Sequence, residues 1–183
     1  FAELGAATID ADSLARQAVA PGTAGFEAVR SRFGAVVLTP DGGLDRNALG
    51  RLVFSNTDAR RALEAIVHPT VYAAIERWFT SVSRTGQHHV GIADIPLLYE
   101  TGREADFDVV IVTTCSEVQQ IDRLMSRSGL TRDEALRRIG AQMPAKEKAA
   151  RATYSIDTSG SFEDTDRQVT DIWQRLQQGK TRG

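Results

Sequence analysis

Asp10 and Asp12 follow the short apolar run Ala7-Thr8-Ile9, one residue apart, and the chain then turns helical through Ser13-Leu14-Ala15-Arg16. In an extended chain the i, i+2 spacing puts both side chains on one face, at a strand exit, where open α/β sheets place ligand sites. The plain alternative is that Asp12 only caps a helix Ser13–Val19, a duty aspartate performs well. A third acid, Asp94, closes another apolar run. Arg123 and Arg127 lie four apart on one helical face before Ser128-Gly129-Leu130, and Arg137 and Arg138 return beyond it. A guanidinium fork stays charged and takes phosphate oxygens in pairs, so such a cluster suits an anionic ligand. It could equally be a solvated face paired with Asp122, Asp133 and Glu134.

Short β-branched runs and longer helical patterns must position these groups. Strands are expected at Ala7–Asp10, His89–Asp94, Asp108–Thr113 and Tyr154–Asp157, each nearly continuous in apolar character, as in a parallel sheet covered on both faces. Ser116-Glu117-Val118-Gln119 and Thr131-Arg132-Asp133-Glu134 match the capping box that opens a helix. A last helix over Phe162–Gln177 carries Trp173 on its apolar stripe, a core position. Between Pro21 and Arg84 the alternation breaks: helices are expected over Gly25–Phe33, Asp45–Phe54, Thr57–Ile66 and Pro69–Ser83, with little strand between them. This reads as a helical insertion in a βαβ architecture.

Composition narrows the class. The 183 residues are 42% hydrophobic and 25% charged with a formal net charge of -2, which argues against a dedicated nucleic-acid partner. The longest apolar runs are too short to span a bilayer, so no membrane partner is expected. The single cysteine, Cys115, excludes an internal disulfide and fits a reducing, cytoplasmic setting; it reads as a small packed residue. Three histidines without a second cysteine give no zinc-like spacing. Lys146, Lys148 and Arg151 read as an exposed helix face. Nothing in the sequence sets the oligomeric state.

In order and register, the chain carries Ile9-Asp10-Ala11-Asp12-Ser13-Leu14-Ala15-Arg16, Pro21-Gly22, His68-Pro69, Asp94-Ile95-Pro96-Leu97-Leu98-Tyr99-Glu100 and Ile156-Asp157-Thr158-Ser159-Gly160. Taken together these resemble the dephospho-coenzyme A kinases over essentially the whole chain. The resemblance implies a P-loop kinase-like α/β fold: three layers, α/β/α, with a mostly parallel sheet. The core would be residues 1–20, 86–122 and 152–183, with a helical substrate-binding insertion at about 21–85 and a helical lid at about 123–151, all in one kinase domain. It implies transfer of the γ-phosphate of ATP, with Mg2+, to the ribose 3′-hydroxyl of dephospho-coenzyme A.

On that resemblance Asp12 orients or deprotonates the attacking hydroxyl and Arg123 is the catalytic arginine, folding over the transferring phosphate as in the lid of nucleoside monophosphate kinases. Asp10, Arg16, His68, Leu97, Leu98 and Glu100 fall on the acceptor side. Arg127, Asp157, Ser159 and Gly160 fall on the ATP side, and Asp94 near the metal. Bland alternatives stand beside several of these: a helix-entry histidine at His68, a structural turn at Pro96, an Asx-type turn at Asp157.

One departure is plain. The family opens with a strand and a glycine-rich loop ending in Gly-Lys-Ser or Gly-Lys-Thr that cradles phosphates, and no such Gly-x-x-x-x-Gly-Lys segment occurs in these residues. The start Phe1-Ala2-Glu3-Leu4-Gly5 reads as a helix tail closed by glycine, so the loop is expected upstream and residues 1–183 alone are expected to be inactive. Two rival readings remain: another small-molecule P-loop kinase acting on a nucleoside monophosphate, and a non-catalytic remnant that binds a nucleotide or a partner.

Overall fold

The computed structural model describes residues 1–179, in two compact units: Ala6–Ile95, and Phe1–Gly5 together with the chain from Pro96.

In the first unit, β1 (Ala7–Asp10) and β2 (Gly91–Asp94) pair in parallel, with Asp10 opposite Asp94. The crossover between them is all helix: α1 (Ala11–Ala18), α2 (Ala24–Phe33), α3 (Arg46–Ser55) and α4 (Thr57–Thr85). Side-chain caps fix where these start. Thr23, Asp45 and Asn56 accept from the N–H groups of Phe26, Ala48 and Ala59, each satisfying a donor that the helix itself leaves open. Val19, Val29, Val37 and Leu49 form the core of the helical region, with Phe33, Leu52, Leu63, Ile66 and Val67 packed against them. β2 begins two residues later than expected, at Gly91, where the chain passes so close to α4 that a Cβ would lie 2.8 Å from the Phe79 ring.

The expected break at His68-Pro69 does not occur: α4 runs unbroken for 29 residues with Pro69 inside it, so His68 is not a helix-entry residue. A proline in a helix interior removes one hydrogen bond and costs about 3 kcal/mol. Here the carbonyl that loses its partner belongs to Ala65, and both Ala65 and Pro69 face solvent, where water can serve instead. Val71 and Ile75 of the same helix are buried and hold it in place.

In the second unit, β3 (Ile111–Thr114) and β4 (Tyr154–Asp157) pair in parallel, Ile111 opposite Tyr154 and Thr114 opposite Asp157. β3 thus starts later than the expected Asp108 and ends one residue further on. The crossover is again helical, through α5 (Glu117–Ser128), α6 (Arg132–Gly140) and α7 (Ala145–Arg151), and α8 (Phe162–Gln178) follows β4. Both expected capping boxes form, at Ser116 with Gln119 and at Thr131 with Glu134. Gly129 ends α5 at φ 64°, in the left-handed region glycine enters at little cost. Trp173 and Ile172 are buried, as the α8 stripe requires. Parallel strands linked by helical crossovers in both units make this an α/β fold. Among the described residues, no helix is long and apolar enough to cross a membrane.

Candidate active site

Asp10, the last residue of β1, keeps extended backbone angles (φ -111°, ψ 117°), and the helix begins at the next residue. Its carboxylate caps α1: the Asp12 N–H donates to Oδ1 at 2.8 Å and the Ser13 hydroxyl to Oδ2 at 2.8 Å. The capping role weighed for Asp12 therefore belongs to Asp10, and α1 starts two residues before Ser13. Because the chain has left the strand at Ala11, the two acids are not alternate residues on one strand face. Asp12 sits in the first helical turn, exposed, and its carboxylate accepts no hydrogen bond from any described residue. Arg16 stands one turn further along α1, on the same side as Asp12.

Asp10 and Asp94 differ electrostatically. The Ser13 hydroxyl, and then the Asp12 N–H, hold the Asp10 carboxyl below the usual aspartate range. Desolvation, and then the charges of Asp10 and Asp12, push Asp94 above it. Asp94 is exposed as a residue, which limits how far desolvation can act on it. Among the described residues no three His, Cys, Asp or Glu side chains converge as metal ligands.

A second cluster forms where β4 ends. Asp157 Oδ1 accepts from the Ser159 N–H at 2.8 Å, the expected Asx turn, and the Ser159 hydroxyl first, then this N–H, lower its pKa. Arg123, from α5, donates to the Thr158 hydroxyl at 2.9 Å and to the Thr158 carbonyl at 2.6 Å. Gln119 donates to the Ser159 carbonyl at 2.9 Å. Gln168, from α8, holds both backbone groups of Asp157, accepting from its N–H at 2.9 Å and donating to its carbonyl at 2.8 Å. Arg123 is thus brought to the Asp157–Gly160 loop, whereas Arg127 lies in the last turn of α5, exposed.

A third cluster lies after Pro96. Glu100 Oε1 accepts from the Lys148 ammonium at 2.7 Å and from the Met143 N–H at 2.9 Å, and Lys148 also donates to the Pro96 carbonyl at 3.1 Å. The Lys148 side chain is only 13% exposed, which corrects its expected place on an exposed face. Arg151 pairs with Glu104 and lies 4.6 Å over the Tyr99 ring. Leu97 is exposed at 37% and Leu98 is half-buried. His68, half-buried on α4, meets the Tyr72 ring edge-on at 6.3 Å. Sequence reasoning missed Gln168 and the Glu100–Lys148 pair; Gln119 was visible only as half of a capping box.

Comparison with known proteins gives one consistent result. The family model described as dephospho-CoA kinase matches residues 1–164. A dephospho-CoA kinase of Symbiobacterium thermophilum is 48% identical over 171 residues, covering 93% of this chain and 71% of that protein. One from Geobacter sulfurreducens is 42% identical over 170 residues, covering 93% and 86%. Among solved structures, TT1252 from Thermus thermophilus superposes with a TM-score of 0.80 at 34% identity, covering 96% of this chain and 87% of that one. The dephospho-CoA kinase from Campylobacter jejuni gives 0.70 at 26% identity, covering 98% and 89%.

Proposed function

The chain belongs to the dephospho-CoA kinase family and is an ATP-dependent phosphotransferase, and we propose that Asp12 is the residue that acts on the acceptor, orienting the ribose 3′-hydroxyl of dephospho-coenzyme A and taking its proton as the γ-phosphate of ATP is transferred. This is the final step of coenzyme A synthesis. The observation that supports the role is the division of labour at the end of β1. Asp10 accepts from the Asp12 N–H and the Ser13 hydroxyl at the start of α1, which leaves the Asp12 carboxylate exposed and one turn from the cation of Arg16.

Phosphoryl transfer asks the protein mainly for positioning and charge, since its transition state is loose. A general base of this kind contributes about 10²–10⁴-fold. Arg16, on the Asp12 side of α1, is the cation offered to the anionic acceptor, and His68, Leu97 and Leu98 are assigned to the same substrate. Asp157, Ser159 and Gly160 are assigned to the base of ATP, and Arg127 to its phosphates. Magnesium would enter with the nucleotide substrate; Asp94 is close to Asp10 and Asp12 electrostatically but is given no step. The helices of residues 21–85 are assigned to the acceptor and residues 123–151 to a lid, in a P-loop kinase working in the cytoplasm.

The test is a coupled ATP-consumption assay on the full-length gene product. Turnover that depends on dephospho-coenzyme A and drops about 10²-fold or more in Asp12→Asn is the expected result. Turnover with a nucleoside monophosphate instead would move the acceptor assignment, and an Asp12→Asn variant as active as the parent would remove Asp12 from the reaction.

A further inference from the structure

The loop after β4 is held in an unusual way. Three consecutive carbonyls, those of Asp157, Thr158 and Ser159, each accept from a different long side chain: Gln168 at 2.8 Å, Arg123 at 2.6 Å and Gln119 at 2.9 Å. The three matching N–H groups are also engaged, by Gln168 Oε1, the Thr114 carbonyl and Asp157 Oδ1. The Thr158 hydroxyl relays the restraint: it accepts from Arg123 at 2.9 Å and donates to the Thr114 carbonyl at 2.8 Å, joining α5 to the end of β3. A backbone with five of its six polar groups satisfied by flanking elements, and the sixth by the loop's own Asp157 carboxylate, cannot rearrange without breaking several hydrogen bonds at once.

We propose that Arg123, Gln119 and Gln168 are positioning residues for the nucleotide, together preforming the Asp157–Gly160 loop before ligand arrives. The proposal rests on the assignment of that loop to the base of ATP and changes the part expected of Arg123. Both Nη atoms of its guanidinium are directed at Thr158 rather than presented to a phosphate. Preorganisation of this kind lowers the ordering cost of binding, so its loss appears in affinity rather than in the chemical step. Gly160, next along the loop, carries the first N–H there that no described residue accepts, which leaves it for the ligand.

Steady-state kinetics on the full-length protein separate the two roles of Arg123. Positioning predicts that Arg123→Lys, Gln119→Leu and Gln168→Leu each raise KM for ATP about fivefold to tenfold, change kcat less than about threefold and leave KM for dephospho-coenzyme A unmoved. A fall of about 10²-fold in kcat for Arg123→Lys alone, with KM for ATP unchanged and both glutamine variants silent, would overturn the proposal and return Arg123 to the transferring phosphate. Hydrogen exchange gives an independent reading: the amides of Asp157–Ser159 should exchange faster in each variant, by more than the change in the unfolding midpoint accounts for. If the parent protein shows no turnover with dephospho-coenzyme A, the acceptor assignment fails by itself. Equilibrium binding of ATP to the same variants then decides the loop proposal: weaker binding supports it and unchanged binding overturns it.

Discussion

Asp10 and Asp94 end neighbouring parallel strands as register partners, yet their carboxyl groups are driven in opposite directions. Asp10 is held ionised by the hydrogen bonds through which it caps α1, and Asp94, desolvated beside the charges of Asp10 and Asp12, is held toward its neutral form. Environment thus separates two acids that a sequence shows only as aspartates.

For Asp94 the consequence is a measurable pH dependence. A folded-state pKa raised above the unfolded value means the group favours folding at low pH and loses that contribution as pH rises through the folded pKa. As pH rises through that pKa, ionisation of Asp94 therefore opposes folding. Asp94→Asn should stabilise the protein at pH 7 by about 0.5 kcal/mol, the scale of a like-charge pair across strands, with the gain shrinking toward pH 3. Urea unfolding at several pH values reads this, and a variant less stable than the parent at pH 7 would contradict it.

The pair Asp10 and Asp12 offers a contrast in which stability and activity part company. Asp10→Ala removes the cap from Asp12 and Ser13 and should lower the thermal midpoint by about 2–4 °C. Asp12→Asn removes no hydrogen bond formed by a described side chain, so its midpoint should stay within about 1 °C while turnover collapses. A midpoint that falls as far in Asp12→Asn as in Asp10→Ala would show that the cap has been misassigned.

What the sequence made legible, and what it hid, follows from how local each signal is. β1 and β4 were found to the residue because each is a four-residue segment with isoleucine third and aspartate closing it, and the Ser116 and Thr131 capping boxes are complete within four residues. Pro69 misled because its local cost is real, whereas the packing of Val71 and Ile75 that overrides it comes from other helices. Asp12 and Asp10 can each cap a helix, and only the observed exit from β1 at Asp10 decides between them. Arg123 was visible as a helical arginine, but its partner Thr158 is delivered by the pairing of β3 with β4, which no local pattern encodes.

Two glycines in helices make opposite predictions. Gly25, in α2, lies so close to the end of α1 that a Cβ would sit 2.2 Å from the Ala18 carbonyl oxygen, a backbone atom that cannot swing aside. Gly25→Ala must push the helices apart and should cost about 1–3 kcal/mol or more. Gly50, inside α3, has nothing within 4 Å of its would-be Cβ. Gly50→Ala should instead stabilise by about 0.5–1 kcal/mol through helix propensity and the unfolded chain. Chemical unfolding of the two variants side by side gives the comparison, and equal effects would mean that the α1–α2 approach is looser than described.

The Glu100–Lys148 pair predicts a stability effect that acid removes. Burial of the Glu100 carboxyl pushes its pKa up, but the Lys148 ammonium and the Met143 N–H outweigh that and hold it below the ordinary glutamate value of 4.5. A depressed pKa contributes stability above the unfolded value that is lost as pH falls through the folded one. With side-chain exposures of 13% for Lys148 and 22% for Glu100, the pair lies between a solvated and a buried ion pair, and Lys148→Met should cost about 1–2 kcal/mol at pH 7. The deficit should shrink as pH falls below 4.5 and vanish once pH has passed the depressed pKa of folded Glu100, because the protonated carboxyl no longer needs the ammonium. Lys146→Met, on the exposed side of the same helix, should stay within about 0.5 kcal/mol of the parent throughout. A Lys148→Met deficit that persists unchanged at pH 3 would mean that the side chain stabilises by packing its methylene stem rather than by its charge.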